Sequence, residues 1–396
     1  MLNLVYDRCE LGRPYPNLAP IIDARNGYHG LGDEYPFICP VRLYYYAQDH
    51  GFKINISYVN NPLPDNAFYP IGISWFDFSL DFFGSMSEQV RSFLREGKLR
   101  VLFYYHEGDN PYHQKSRLDQ LCAVHNLPTD CYRFVSGNTK ADQIQNFVYF
   151  PDHELFYWRN GVVWNDIPQL GCEPHIFSRQ REFTFLSRVH KWSRATTAAY
   201  LHREGIFNNS YWSYGNVDIG DRYQDNPIQI HAFPGLDQYV KEFLAQGPYR
   251  CDDLSAAEHN SHWMFVPEHF NNSYCHLVLE TFFDADGSGG CFVSEKVFKP
   301  IRHGQPFVVF GTPYTLKTLR HLGYKTFDDQ IDNRYDTQED NTERFKLCVE
   351  AVKKIKNQDM HAWYQRCMPD IVYNRDRFIS SEQKLMRLHD LVKNIL

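Results

Sequence analysis

The sequence has 396 residues and a formal net charge of −7, with 43% hydrophobic and 22% charged residues. These values are ordinary for a water-soluble globular protein, and the length favours two domains over one core. The acidic balance excludes the overall basic field of a general nucleic-acid binder. The ten cysteines include no C-x-x-C pair and no signal peptide is recognised, so we expect reduced thiols and a cytoplasmic location.

The first half of the sequence alternates short apolar runs with polar loops and helical patterns. Strands buried on both faces read as continuous apolar runs, so this rhythm predicts a parallel sheet with helices between its strands. The clearest strand is KLRVLFYYHEGD, and 71–80 is either a strand or a loop leading into the next helix. The predicted strands are 52–59, 71–80, 98–109 and 132–138, and the predicted helices are 86–97 and 113–127.

An irregular stretch at 161–180, with two prolines and two glycines, separates this half from a second α/β pattern. We therefore predict two domains, 1–170 and 171–396. The helix expected at 312–323 has Thr312 as its cap. The second domain is predicted to open with a strand, a basic loop and a helix in that order within 182–207. Further strands are predicted within 207–216, 273–281 and 306–311, and further helices at about 236–247, 294–304, 312–323, 340–357 and 379–395.

The densest group of charged residues lies in SEKVFKPIRHG, just before the apolar run PFVVFG. Ser294 is predicted to cap a helix that starts at Glu295, whose charge suits the positive end of the helix dipole. Lys296 and Lys299 are suited to phosphate charges, and Glu295 to the two hydroxyls of a ribose. Glu280 ends the preceding strand. A solvated charged helix of ordinary type would show the same spacing.

Four motifs follow in order from Ser294 to Asp336: S-E-K-x-x-K-P-I, x-G-Q-P-F-V-V-x-G, L-x-x-L-x-x-x-G-Y-K-T-F and D-x-x-Y-D. This pattern resembles the carboxyl-terminal half of glycosyltransferase-like proteins common in marine phages and bacteria, related to the fucosyltransferase and exostosin type. The resemblance implies a GT-B fold, in which two Rossmann-like domains face each other across a cleft. It also implies that the second domain binds a nucleotide-diphosphate sugar, such as a UDP- or GDP-sugar.

The resemblance extends to FTFLSRVHKWSRATTAAYL, where Arg188, Lys191 and Arg194 take the places that face the donor diphosphate in the family. Cationic side chains at a helix start stabilise a leaving diphosphate without a metal ion. We therefore expect 188–194 and 294–299 to lie together. The donor site then comprises Arg188, Lys191, Arg194, Glu280, Ser294, Glu295, Lys296 and Lys299.

The first domain is expected to bind the acceptor and to supply a catalytic base. His106, Glu107 and Asp109 follow the clearest strand, where a histidine or carboxylate can take the proton of an acceptor hydroxyl. Strand alternation predicts that His106 and Glu107 point to opposite sides. A second candidate cluster lies in a glycine-rich loop and contains Asp23, His29, Asp33 and Glu34.

No metal site or cofactor is expected. Asp284 and Asp286 form a D-A-D sequence, but it lies in a glycine-rich loop and not at the end of a strand. His259 and His262 lack cysteine or carboxylate partners at ligand spacing. The chain contains neither G-x-G-x-x-G nor G-x-x-x-x-G-K-[ST].

Together these features predict a metal-independent, inverting glycosyltransferase that moves a sugar from a nucleotide-diphosphate donor to an acceptor hydroxyl. Inversion is implied by the resemblance to fucosyltransferases. Two alternatives remain open: a phage-type enzyme that glycosylates a hydroxylated base in DNA, and a non-catalytic glycan-binding protein of the same fold. If a virus encodes the chain, the expected location is the host cytoplasm. The sequence does not indicate an oligomeric state.

Overall fold

The chain folds into two compact units, each with its own sheet. Met1–His153, Asp286–Phe292 and Ser381–Leu396 form the first unit, and Glu154–Ala285 and Val293–Ser380 form the second. The boundary predicted near residue 170 lies outside the described residues. The computed structural model describes the chain except for residues 1, 7–8, 11–12, 15–53, 60–61, 74–75, 77, 164–177, 218–225, 252–265 and 285–288.

The sheet of the first unit is parallel throughout its described strands. Its strands are β1 (Leu2–Tyr6), β4 (Ile54–Tyr58), β5 (Ala67–Ile73), β6 (Arg100–Tyr105), β7 (Tyr132–Ser136) and β8 (Phe147–Tyr149). Their order across the sheet is β4-β1-β5-β6-β7-β8. Two short strands, β2 (Cys9–Glu10) and β3 (Arg13–Pro14), form a separate antiparallel pair. The strand predicted at 71–80 lies instead at Ala67–Ile73.

Aromatic side chains fill the core of this unit. The Phe103 ring of β6 lies 5.4 Å from that of Phe82 and 6.0 Å from that of Phe134, measured between centroids. Phe134 in turn stacks on Phe147 at 4.6 Å. Such ring pairs stabilise the core beyond the apolar area that they bury. Aromatic residues make up 16% of the sequence, and those in this core serve packing.

Capping residues mark the starts of the first two helices in this unit. The Ser87 side chain accepts a hydrogen bond from the Val90 N–H at 3.3 Å, which caps the first helix. Asn110 caps the next one, and a proline takes its first position, where no N–H partner is needed. The helices are α1 (Glu88–Arg95), α2 (Pro111–Val124) and α3 (Asp152–Val163), and α3 contains the boundary between the two units.

The second unit has a four-stranded parallel sheet within the residues described. Its strands are β9 (Arg181–Val189), β10 (Ser210–Val217), β11 (Ser273–Leu279) and β12 (Phe307–Phe310), in the order β10-β9-β11-β12. The chain therefore places β10 on one side of β9 and the later strands on the other. In open parallel sheets, ligands bind outside the carboxyl ends of the strands at such a reversal of strand order.

The helices of this unit lie in the sequence between its strands or after the last strand. They are α4 (Trp192–Arg203), α5 (Leu236–Gln246), α6 (Pro267–Asn271), α7 (Glu295–Arg302), α8 (Thr315–His321), α9 (Asn341–Lys356) and α10 (Met360–Ile379). A last helix, α11 (Ser381–Ile395), belongs to the first unit. None of the helices in the described part of the chain has the length and apolar character needed to cross a membrane.

The predicted fold class, α/β with two Rossmann-like parallel sheets, is confirmed. That the two units face each other across a cleft stays a prediction. One helix start was predicted wrongly: α8 begins at Thr315 and not at the cap expected at Thr312. Two N–H groups of its first turn, those of Leu316 and Lys317, instead donate to the distant carboxylate of Asp336 at 2.7 and 2.9 Å.

Candidate functional site

The start of α7 has the predicted cap. Ser294 Oγ accepts a hydrogen bond from the backbone N–H of Lys296 at 3.4 Å, and the Ser294 backbone is extended, as expected at an N-cap. Glu295 lies in the first turn, where a negative charge suits the positive end of the helix dipole. The prediction that Ser294 caps a helix beginning at Glu295 is therefore confirmed.

A buried carboxyl group, that of Glu280, contacts this helix start. Ser294 Oγ donates to Glu280 Oε2 at 2.5 Å, and the Ser294 backbone N–H donates to Glu280 Oε1 at 3.3 Å. The backbone N–H of Thr281 donates to the same carboxylate at 3.1 Å. Burial raises the pKa of Glu280, while the nearby Lys296 charge and the Ser294 hydroxyl act in the opposite direction. The hydroxyl that caps α7 thus also holds the end of β11.

Two cationic side chains from the start of α4 bind the same end of β11. Lys191 Nζ donates to the Thr281 carbonyl oxygen at 2.6 Å, and Arg194 Nη2 donates to the Glu280 carbonyl oxygen at 3.0 Å. From α7, Lys296 Nζ donates to Thr281 Oγ1 at 3.1 Å. Thr281 therefore receives one lysine from each helix start, and the two basic segments lie together as predicted.

Two further predicted cations, Arg188 and Lys299, belong to this group. Arg188 lies exposed near the carboxyl end of β9. A Cβ atom at Gly215 of the neighbouring β10 would lie 2.7 Å from the Arg188 carbonyl oxygen, so glycine permits the close approach of the two strands there. Burial lowers the pKa of Lys299 to about 8; the Lys296 and Arg188 charges act in the same direction, whereas Glu295 opposes them.

All the predicted donor-binding residues thus lie in one region of the second unit, at the carboxyl ends of β9 and β11. The cations Arg188, Lys191, Arg194, Lys296 and Lys299 outnumber the carboxyl groups of Glu280 and Glu295. This region coincides with the reversal of strand order in the sheet and with the starts of two helices. Both features favour the binding of an anion.

In the first unit, the predicted base candidates follow β6. His106 Nε2 lies 3.5 Å from Glu107 Oε1, so the two side chains share one side, contrary to the sequence expectation. That expectation was wrong because β6 ends at Tyr105, and strand alternation ends with it. Asp109 accepts a hydrogen bond from the Tyr105 hydroxyl.

A residue that the sequence reasoning missed, His153, joins this pair. Its Nε2 lies 4.0 Å from Glu107 Oε1, and its ring centroid lies 5.7 Å from that of His106. His153 lies in the first turn of α3, which follows β8. No signal in the local sequence connects it to the loop after β6, because the two meet only through the order of strands in the sheet.

One other sequence candidate is described, and the rest are not. Asp284 is exposed. The second base cluster, the histidine pair and the other half of the D-A-D sequence lie outside the described residues: Asp23, His29, Asp33, Glu34, His259, His262 and Asp286.

Comparison with known proteins identifies no family for the chain. No family model and no curated protein matches it. Among solved structures, it is similar to the catalytic domain of starch synthase IV from Arabidopsis thaliana bound to ADP and acarbose, with 11% sequence identity and a TM-score of 0.31. The match covers 88% of this chain and 77% of that one. The likeness is too distant to indicate a function, which is therefore inferred from the chain's own residues.

Proposed function

We propose that the chain is a GT-B glycosyltransferase that moves a sugar from a nucleotide-diphosphate donor to an acceptor hydroxyl, with inversion and without a metal ion at the donor. The observation that supports this most directly is the contact of Lys191 and Lys296 with Thr281. It gathers two helix starts and their cations at the carboxyl ends of parallel strands. A departing nucleoside diphosphate carries the negative charge that such a region stabilises.

Different cations of this region have different tasks in the proposal. Lys191 and Arg194 are each only 6% exposed and donate to backbone carbonyl groups, so they set a fixed positive field. Arg188 is exposed and the Lys296 side chain is 29% exposed, so these two meet the diphosphate oxygens directly. Glu295, which lies 3.0 Å from Lys296 Nζ, accepts the ribose hydroxyls.

The first unit supplies the base in this proposal. His106 or Glu107 takes the proton of the acceptor hydroxyl while its oxygen attacks the anomeric carbon and the diphosphate leaves in the same displacement. We favour this pair over Asp109, because the Tyr105 hydroxyl already donates to the Asp109 carboxylate. A single displacement inverts the configuration at the anomeric carbon.

Isothermal titration of the full chain with UDP-, GDP- and CMP-sugars, in buffer with EDTA, tests the donor assignment. We expect the UDP- or the GDP-sugars to bind and the CMP-sugars, which carry a single phosphate, not to bind. Lys296→Met should weaken donor binding by about tenfold or more, the effect of losing one charge-assisted contact. Lys241→Met, at an exposed position on α5, is the matched control and should bind as the wild type does. Absence of binding to every donor would refute the assignment.

Assays with radiolabelled donor then distinguish the acceptor classes. Transfer to glycans supports the proposal as stated, and transfer to hydroxymethylated DNA would assign the acceptor to nucleic acid. Donor and glycan binding with neither transfer nor donor hydrolysis would instead indicate a binding protein. Determining the anomeric configuration of the product by NMR tests the inversion, and a retained configuration would contradict it.

A further inference from the structure

We propose that His106, Glu107 and His153 in the first unit form a binding site for a divalent transition-metal ion of the Zn²⁺ class. The ligand atoms that the three side chains offer all lie within 4.8 Å of one another. Two imidazole nitrogens and one carboxylate oxygen are a common ligand set for such ions. This departs from the sequence expectation of no metal, which considered only residues close together in the chain.

The spacing of the three side chains fits one ion between them. Donor atoms about 2.0–2.1 Å from a tetrahedral Zn²⁺ lie about 3.3 Å from each other. The observed separations from Glu107 Oε1 are 3.5 Å to His106 Nε2 and 4.0 Å to His153 Nε2. Small side-chain rotations therefore bring the three atoms to coordination distance. Three protein ligands leave a further position for water or a hydroxyl group.

The partial burial of the group also favours an ion. The His106 and His153 side chains are 11% and 12% exposed, and that of Glu107 is 26% exposed. A carboxylate with two neutral imidazoles carries one negative charge, and the reduced contact with water strengthens its attraction for a cation.

The loop that carries His106 and Glu107 is held in place by hydrogen bonds from the segment after β7. The backbone N–H of Gly137 donates to the Glu107 carbonyl oxygen at 3.0 Å, and Asn138 Nδ2 donates to the Gly108 carbonyl oxygen at 2.9 Å. A Cβ atom at Gly137 would lie 2.8 Å from the His106 carbonyl oxygen. The two segments are thus packed so closely that the loop has little freedom to move the ligands apart.

The segment that carries His153 is fixed independently. Tyr104 Oη donates to Asp152 Oδ1 at 2.6 Å, which ties the start of α3 to β6. The His153 ring packs edge-on against Phe292, with 5.3 Å between the centroids. Both parts of the site are therefore oriented by residues outside it, as binding geometry requires.

The site goes beyond the proposed function, because donor binding in the second unit does not need it. With an ion bound, His106 and Glu107 would serve as ligands, and the base role proposed for them above would apply only to the metal-free chain. An acceptor hydroxyl bound at the open position would lose its proton more easily than in water.

Metal binding by the full chain tests this site directly. The protein is freed of metal with EDTA, exchanged into EDTA-free buffer and titrated with Zn²⁺ by calorimetry, and with Co²⁺ by its visible d–d absorption. We expect one ion per chain, and at least about 100-fold weaker binding in each of Glu107→Gln and His153→Gln, since loss of a ligand exceeds the effect of losing an outer partner. His231→Gln, at an exposed position in the second unit, is the matched control.

Each result decides the proposal. A wild-type chain that binds no Zn²⁺ or Co²⁺, or ligand variants that bind like the control, would overturn it. Circular dichroism and thermal melting verify that the variants are folded, and His106→Gln replaces any variant that is not. Nucleotide-sugar titration of the same preparations in EDTA shows whether the donor site works, so failure of the metal site and failure of the proposed function are distinguishable.

Discussion

Replacing Ser294 by alanine removes one hydroxyl group from the centre of the cationic region. That hydroxyl caps α7 through the Lys296 N–H and donates to Glu280 Oε2 at 2.5 Å. Loss of the cap costs about 1 kcal/mol. Loss of a hydrogen bond to a charged group costs about 1.5–3 kcal/mol. We expect Ser294→Ala to lower the free energy of unfolding by about 2.5–4 kcal/mol.

Ser87→Ala is the matched control for this experiment. Ser87 caps α1 through the Val90 N–H at 3.3 Å, on an exposed part of the first unit. Its loss should cost about 1 kcal/mol, the usual contribution of a serine cap. The two variants differ mainly in the contact with the carboxyl group of Glu280.

Equilibrium unfolding in urea, followed by circular dichroism, measures both losses against the wild type. Because the chain has two compact units, each variant is compared within the transition of its own unit. Titration with the preferred nucleotide-sugar should also show weaker binding by Ser294→Ala, since Lys296 Nζ loses a partner at 3.2 Å. A loss of stability no larger than that of Ser87→Ala would refute the view that Ser294 joins the two elements.

Three other perturbations test the surroundings of this region. Burial lowers the pKa of Lys299 from 10.5 to about 8. As the pH rises from 8 to 10.5, the free energy of unfolding of the wild type should therefore increase by up to about 3 kcal/mol relative to that of Lys299→Met. Urea unfolding of both proteins at several pH values measures this difference. Gly215→Ala places a Cβ against the Arg188 carbonyl oxygen and should cost about 1–3 kcal/mol by thermal melting while weakening nucleotide binding. Burial lowers the pKa of His276 from 6.5 to about 3, so the wild type should lose stability as the pH falls from 6.5 to 3. A His276→Gln variant that loses as much stability over this range would contradict this reasoning.

The parts of the fold that were predicted correctly are those with strong local signals. Apolar runs revealed β6 and β12 most clearly, because strands buried on both faces need no polar alternation. Ser294 was found from its place before an acidic first turn. The helix α10 was not predicted from the sequence. It contains Pro369, and proline usually interrupts a helix interior.

The parts that sequence reasoning missed depend on contacts between distant segments. The start of α8 could not be read locally, because two N–H groups of its first turn donate to Asp336. His153 could not be assigned to the group after β6, since only the order of the strands brings the two segments together. The contacts of Lys191 and Arg194 with the end of β11 were also beyond the sequence, although their proximity to α7 was expected.

The anchoring of Lys191 and Arg194 to backbone carbonyl groups has a consequence for the kinetics of ligand capture. Immobilising a long side chain upon association costs roughly 0.5–1.5 kcal/mol, and here folding has already ordered both. An arriving anion therefore meets a positive potential that exists before the encounter. Its association rate should fall as ionic strength rises, because dissolved salt screens that attraction over a distance of about 10 Å.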